Sequence, residues 1–410
     1  MIYDVIIIGG GISGLYAAYK MRNHKSFLVL EKNRKPNLGG RAGNELFQGV
    51  NVVTGAGIGR KRKDRLLYKL IGELGLQTQS YVSKKYYSPD IDPLPMEQIM
   101  QYLREKYSKT VSSPQTFKQF ATQHLGPKVY KRFLETSGYT DYEKEDAYET
   151  LNHYGMDDNY KNSTIFTVAW KQLVDTLASK IGESKIKMGN GVSKIRRQID
   201  TNSIPRFYLE TDLGTTYICN EVIVATDING IRALLPNPIY KEIEGQPFIR
   251  IYGKFSKQSI PYLKQHIRGY TCVKGPLQKI IPMDVERGVY MIAYSDNAAA
   301  EELSTLTDNE ETREILCRMV EVAMGIPSAV LSLTAIKSYY WRVGTHYYKP
   351  LKLVYGPTRE DFIEKVQNPG RGIMVVGEAV SRNQGWTEGA LESVEKVITK
   401  KWLHYGTPSL

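Results

Sequence analysis

Three glycines suggest the first piece of chemistry. They stand at 9, 11 and 14 in "VIIIGGGISG", a G-x-G-x-x-G spacing with Ser13 inside it. In such a turn Gly9 permits a tight reversal and Gly11 lets backbone approach a pyrophosphate. Gly14 lets the next helix pack closely on the strand. The N–H groups that begin that helix face the phosphates. Glu31 closes a second apolar run, Phe27-Leu28-Val29-Leu30. It falls close to the ~20 residues downstream at which an acidic side chain takes ribose hydroxyls. The chemistry is the binding of a dinucleotide diphosphate, and the motif leaves NAD and FAD both open. Gly-rich strand–helix turns also occur without ligand. Here strand, turn, helix, second strand and terminal Glu stand in order.

A second feature is the run Arg60-Lys61-Arg62-Lys63-Asp64-Arg65, directly after "GAGIG". It is either a solvated helix start or the rim of a cationic active-site mouth. Positive charge is disfavoured at a helix N-terminus, which asks for a local reason. Trp386 sits just before a helix starting near Thr387. No Ser/His/Asp or Cys/His arrangement is present. Cys219, Cys272 and Cys317 make no metal spacing and read as reduced thiols, so no metal is expected.

The positioning elements follow from pattern. Val5-Ile6-Ile7-Ile8 is β-branched and suits a strand buried on both faces. Ile12, Leu15, Tyr16 and Tyr19 recur at helical spacing. "KDRLLYKLIGELGL" is an amphipathic helix ending near Gly75. Residues 76–165 turn polar and mostly helical, as an insertion would. Val222 to Thr226 is another buried strand. Residues 246–344 read as α+β. Ile373 to Val376 is a last strand, feeding a Gly-Glu turn and the helix at Thr387.

At 410 residues the chain has core for two or three domains. No run approaches the ~20 apolar residues of a membrane span. The first 20 residues read as strand and helix rather than signal peptide, so a cytoplasmic location is expected. The net charge of +12 reads as a solubility trait, with an anionic partner as the sharper alternative. The 29 tyrosines, against 10 phenylalanines, carry no functional weight at this level.

In order along the chain, the motifs resemble those of the flavin-containing amine oxidase superfamily. That group spans monoamine and polyamine oxidases, histone lysine demethylases of that type, L-amino-acid oxidases and protoporphyrinogen oxidase. The resemblance rests on the opening glycine turn, Glu31, "GGRAGN", "GAGIG", "GVSKI", "EVIVATD" and "VVGEAVSRNQGWTEGALES". It implies FAD. Gly9, Gly11, Ser13 and Gly14 would line the pyrophosphate and Glu31 the adenosine ribose. Gly40 and Arg41 would lie along the flavin side of the diphosphate. Gly55, Ala56, Gly57 and Ile58 would pass the isoalloxazine. Val192 would hold the adenine through its backbone, and Gly377 and Glu378 the ribityl–phosphate region. Thr387 would point its N–H at flavin N1 and O2.

The resemblance also implies hydride transfer from an amine or amino-acid C–H to flavin N5, with O2 as acceptor. It places Arg250, in "FIRIYGKFS", where the family often holds a flavin-side lysine. Arginine stays protonated and is no equivalent; a structural salt bridge is the alternative role. His346 and Trp386 take the places of two aromatics that bracket the amine. Thr345 stands where covalent members carry the attaching cysteine, so the FAD should be non-covalent. If Arg60 faces the cleft beside Arg250, the substrate should carry a carboxylate or phosphate.

The expected fold is an α/β flavoprotein. A Rossmann-like FAD-binding domain comprises 1–75, 166–245 and 345–403, and an α+β substrate domain comprises 76–165 and 246–344. Two rival functions remain. One is a protoporphyrinogen-oxidase-like or desaturase flavoenzyme. The other is a flavin-binding protein with a structural or nucleic-acid-binding role, with nucleic acid the less favoured partner.

Overall fold

The structure, a computed structural model, describes residues 1–109, 114–156, 164–199, 205–351 and 353–405. The strand Ile2–Ile8 lies at the centre of a seven-stranded sheet, parallel to Thr216–Val224 on one side and Phe27–Glu31 on the other. Val5, Ile6 and Ile7 are fully buried, as a strand covered on both faces requires. Ile186–Met188 extends the sheet beyond Phe27–Glu31. On the far side Thr216–Val224 forks. Its first half pairs with Pro205–Thr211 and its last residues with Ile373–Val375. The helices Ile12–Met21, Trp170–Ile181 and Thr387–Val397 pack into one core with this sheet.

A second sheet has six strands, in the order Leu333–Tyr348, Ile243–Phe255, Val289–Asp296, Lys279–Asp284, Tyr270–Cys272 and Lys85–Tyr87. Alternation along Ile243–Phe255 divides its side chains between faces. Ile249 and Ile251 enter a core shared with the helix Glu310–Met324. Arg250 and Tyr252 point the other way, toward the segment Val53–Gly57. The helices Met96–Lys109, Phe117–Leu125, Pro127–Ser137 and Ala147–Asn152 build a separate small core around Phe117, Phe120, Phe133 and Tyr142. The region expected to be mostly helical also contributes short strands, Ser80–Val82, Lys85–Tyr87 and Thr164–Phe166. Among the described residues no helix is long and apolar enough to cross a membrane.

The helix Arg65–Glu73 resolves the problem posed by its cationic start. Its N-cap, Asp64, donates no side-chain cap. The Asp64 carboxylate turns back to Arg60, with Arg60 Nη2 at 2.8 Å from Oδ1 and Arg60 N at 2.6 Å from Oδ2. The cap comes from another helix. Glu388 accepts from Leu66 N at 2.7 Å and Leu67 N at 2.9 Å, and it is almost fully buried. A carboxylate at that end satisfies free N–H groups and complements the helix dipole. Replacing Glu388 with Ala should destabilise the protein by about 1–2 kcal/mol. Chemical denaturation would read it, and an unchanged midpoint would refute this account of the cap.

Candidate active site

The glycine turn has the geometry its spacing demands. Gly9 has φ +110°, and a Cβ there would meet the Ala225 carbonyl oxygen at 2.5 Å. A Cβ on Gly14 would lie 2.0 Å from Gly9 O, so helix and strand touch through backbone. A Cβ on Gly11 would meet nothing within 4 Å. That position opens onto space at the start of Ile12–Met21, a helix with no side-chain cap. Glu31 lies beside it, with Oε2 accepting from Gly10 N at 2.6 Å and Oε1 from Asn33 N at 2.7 Å. Its carbonyl takes Asn190 N at 2.8 Å, which brings Val192 to the same end of the sheet.

Other segments close this space. Gly39 N donates to Gly10 O at 2.9 Å and stands Gly40 over Gly11. Gly377, with φ +132°, faces Ser13 across the turn. Arg41 Nη1 reaches Glu378 Oε1 and the Gly344 carbonyl, both at 2.7 Å. Ala56 N donates to Arg41 O at 2.8 Å. Of the residues expected to hold FAD, Gly9, Gly11, Ser13, Gly14, Gly40, Arg41, Gly377 and Glu378 thus form one continuous cradle. Thr387 begins the helix Thr387–Val397, which also lacks a side-chain cap. The Trp386 Nε1 just before it is buried with no hydrogen-bond partner. An open glycine, two uncapped helix starts and an orphaned indole N–H suit a phosphate-bearing, acceptor-rich cofactor such as FAD.

Glu378 is the polar hub. Its Oε1 also binds His346 Nδ1 at 2.5 Å, and its Oε2 accepts from Gly385 N at 2.9 Å. Burial by itself would raise this carboxyl, but His346 and Arg41 beside it bring it from 4.5 down to about 2.

His346 is not where the sequence pattern put it. It does not line the cavity, because its ring is clamped between Glu378 and the Ile228 N–H, which donates to Nε2 at 3.1 Å. Successive side chains of Leu333–Tyr348 face opposite ways, and it is Thr345 that reaches the cavity. Trp386 does line it, edge-on to Trp170 with ring centroids 6.1 Å apart.

Arg250 lines the cavity too and is 4% exposed. Its Nε donates to Gly55 O at 2.9 Å, and its Cζ lies 4.0 Å from the Tyr294 ring centroid. Tyr294 is also its cross-strand neighbour. Among the described residues no carboxylate pairs with Arg250, so the salt-bridge alternative does not hold. Arg60 lines the cavity as well, but its guanidinium is bound to Asp64. It therefore adds little free positive charge, and the case for an anionic substrate group falls on Arg250.

The cavity has a volume of about 1600 Å³ and lies against Gly57, Ile58, Arg250, Thr345 and Trp386. Seven of its lining residues are tyrosines, Tyr139, Tyr154, Tyr270 and Tyr294 among them. Composition had given those tyrosines no role. Nothing in their spacing showed that separate strands and loops would gather them in one lining. Asp141, on the same wall, was missed for the same reason. Among the described residues no group of His, Cys, Asp and Glu could hold a metal.

Cradle and cavity together define a dinucleotide-binding oxidoreductase with two sheets. A family model, flavin containing amine oxidoreductase, matches residues 12–396, and the chain belongs to that family. It is accordingly an FAD-dependent oxidoreductase. Among solved structures, a redesigned double mutant of putrescine oxidase superposes with a TM-score of 0.76 at 15% identity, over 97% of this chain and 98% of that one. Wild-type putrescine oxidase bound to putrescine superposes with a TM-score of 0.74 at 15% identity, over the same shares. At that identity the likeness speaks for the fold. No curated protein matches the sequence significantly.

Two measurements test this site. Gly11→Ala should leave the melting temperature of the flavin-free protein unchanged and abolish flavin absorbance after reconstitution. Gly14→Ala should fail to fold, since its Cβ strikes backbone; flavin retention by the first variant would overturn the cradle. Glu378 has its folded value below its ordinary one. It therefore contributes stability above pH 4.5, and that stability is lost as pH falls toward 2. Glu378→Gln should flatten this acid limb in pH-dependent denaturation, and an unaltered limb would refute the assignment.

Proposed function

We propose that the chain oxidises an amine that also bears an acidic group, an amino-acid-like substrate, with O2 as electron acceptor and FAD held without a covalent bond. The observation carrying this reading is Arg250. It is a permanently charged side chain buried in the cavity with a carbonyl, a sulfur, the Tyr252 hydroxyl and two aromatic rings around it, and among the described residues no carboxylate. A buried cation without a carboxylate is costly, and a ligand anion would relieve it. An Arg–carboxylate contact is directional and strong in such a setting.

The residues present fit FAD. Gly9 to Gly14, Glu31, Gly40, Arg41, Val192, Gly377 and Glu378 would hold it, and Gly55 to Ile58 and Thr387 would line its flavin end. Bound there, FAD supplies the two-electron acceptor. Arg250 would anchor the acidic group and so orient the amine-bearing carbon. Trp386 and the tyrosine wall would exclude water around the C–H bond. A non-covalent flavin is supported by Thr345 at the cavity and by Cys219, Cys272 and Cys317, which are buried and are not among the lining residues. The substrate would enter between the FAD-binding segments 1–75, 166–245 and 345–403 and the substrate segments 76–165 and 246–344. The polar tyrosine wall disfavours the rival reading of an apolar-substrate desaturase.

The first test is an absorbance spectrum, repeated on the filtrate after heat denaturation, where free flavin should appear. Anaerobic bleaching of the flavin by acid-bearing amines should then exceed bleaching by the matching bare amines. Arg250→Met should cut kcat/KM for the acid-bearing series on the order of 100-fold and leave the bare amines nearly unchanged. Equal losses in both series would sink the anchoring role.

A further inference from the structure

The cavity wall across from Trp386 carries charge that neither the cradle nor Arg250 explains. Asp141 lines the cavity and accepts the Tyr154 hydroxyl on Oδ1 at 2.5 Å. Tyr154 is the side chain that bonds this carboxylate among the described residues, and Asp141's own backbone N–H also favours its ionised form. Three other carboxylates line the cavity: Asp64 is held by Arg60, Glu388 by the Leu66 and Leu67 N–H groups, and Glu97 is exposed and engaged as well.

Asp141 belongs to a buried cluster of charged groups. Asp296, on the neighbouring strand, is bound by Thr140 N and Gln278 Nε2. Lys279 is wholly buried, binds the Gly138 carbonyl, and lies 3.4 Å from the Tyr139 ring centroid and 4.4 Å from that of Tyr294. Lys279 faces both carboxylates, and Lys85, bonded to the Thr136 and Ser137 carbonyls, is a second cation beside it, with the Cys272 thiol also near. Tyr139, Tyr142, Tyr154 and Tyr294 supply the remaining surroundings, with Glu145 a further acid nearby. Burial and the charge of Asp296 raise Asp141 to about 7, and burial lowers Lys279 to about 8. When Asp141 is ionised it presents a carboxylate to the cavity, in a buried group with Asp296, Lys279 and Lys85.

Arg250 is close by. Its guanidinium packs on Tyr294, whose ring centroid is 5.9 Å from that of Tyr139, two residues before Asp141. The Tyr294 hydroxyl feels both Arg250 and Asp141. One small molecule can span the two charges along this ring pair.

We propose that Asp141 is the cation-selecting group of the cavity, so that the preferred ligand is a basic amino acid whose acidic end meets Arg250 and whose distal ammonium meets Asp141. This rests on the amino-acid-like reading above and narrows it. An ammonium pairs with the cavity-facing carboxylate, and its binding favours ionised Asp141.

The test is anaerobic calorimetry on the FAD-loaded protein with L-lysine and L-norleucine, which differ by the distal amine. Lysine should bind at least tenfold more tightly at pH 8, and the preference should shrink at pH 6, where Asp141 is protonated. Asp141→Asn, with flavin absorbance and melting temperature retained, should bind the two ligands equally. Equal affinities in the wild type, a preference that does not change with pH, or one that survives in Asp141→Asn would each overturn the proposal, as would binding of neither ligand. The pH series needs no variant, so it stands even if Asp141→Asn fails to fold. Turnover is read separately by flavin bleaching. An Asp141-dependent lysine preference without bleaching would overturn the oxidation reading and leave the cation site standing.

Discussion

The site depends on how the backbone from Val53 to Gly57 is held. Four of its carbonyl oxygens are each taken by a side chain from elsewhere. Tyr252 Oη binds Val53 O at 2.7 Å, Trp341 Nε1 binds Thr54 O at 2.8 Å, Arg250 Nε binds Gly55 O at 2.9 Å and Trp170 Nε1 binds Gly57 O at 2.8 Å. The amides are also used, Thr54 N by Gly43 O and Ala56 N by Arg41 O. Glycine at 55 is obligatory, since a Cβ would meet Arg41 O at 2.3 Å. An irregular loop buried between two sheets must satisfy its polar groups, and here the second sheet and the helix Trp170–Ile181 supply the donors. The segment therefore fixes the distance between cradle and cavity.

That grip also explains why arginine suits position 250. Its Nε is engaged with Gly55 O, and the rest of its planar guanidinium lies on Tyr294. A lysine has no second donor plane, so it could hold the carbonyl or face the cavity but not do both in this geometry. Arg250 is at once a structural strut and a charge presented to the cavity.

The dinucleotide cradle was legible in the sequence because its constraints are local. Gly9 needs a positive φ, Gly14 needs contact between backbones, and both demands recur at fixed offsets. His346 was not legible. It lies in the strand Leu333–Tyr348, which pairs with Ile243–Phe255 through two register irregularities, and one residue of offset exchanges the faces. Spacing from a motif could not tell whether 345 or 346 faces the cavity. Asp141 and the tyrosines were invisible for a different reason: separate loops and strands bring them together, and no period links them. Asp64 and Glu388 show the same limit, since the answer to a cationic helix start came from more than 300 residues away, |i−j| being 322 for the Leu66 contact.

Glu378 joins Arg41 across 337 positions of sequence, and the same carboxylate fastens His346 and the turn at Gly385. Gly377 closes the pyrophosphate side opposite Ser13. A ribosome delivers the glycine turn long before this closing piece. The nascent chain can therefore fold a glycine turn but cannot complete a nest for a cofactor until Gly377 and Glu378 have emerged, and closing so long a loop is slow. Cofactor capture thus waits on the synthesis of Glu378, and flavin cannot guide the folding of the segments made before it.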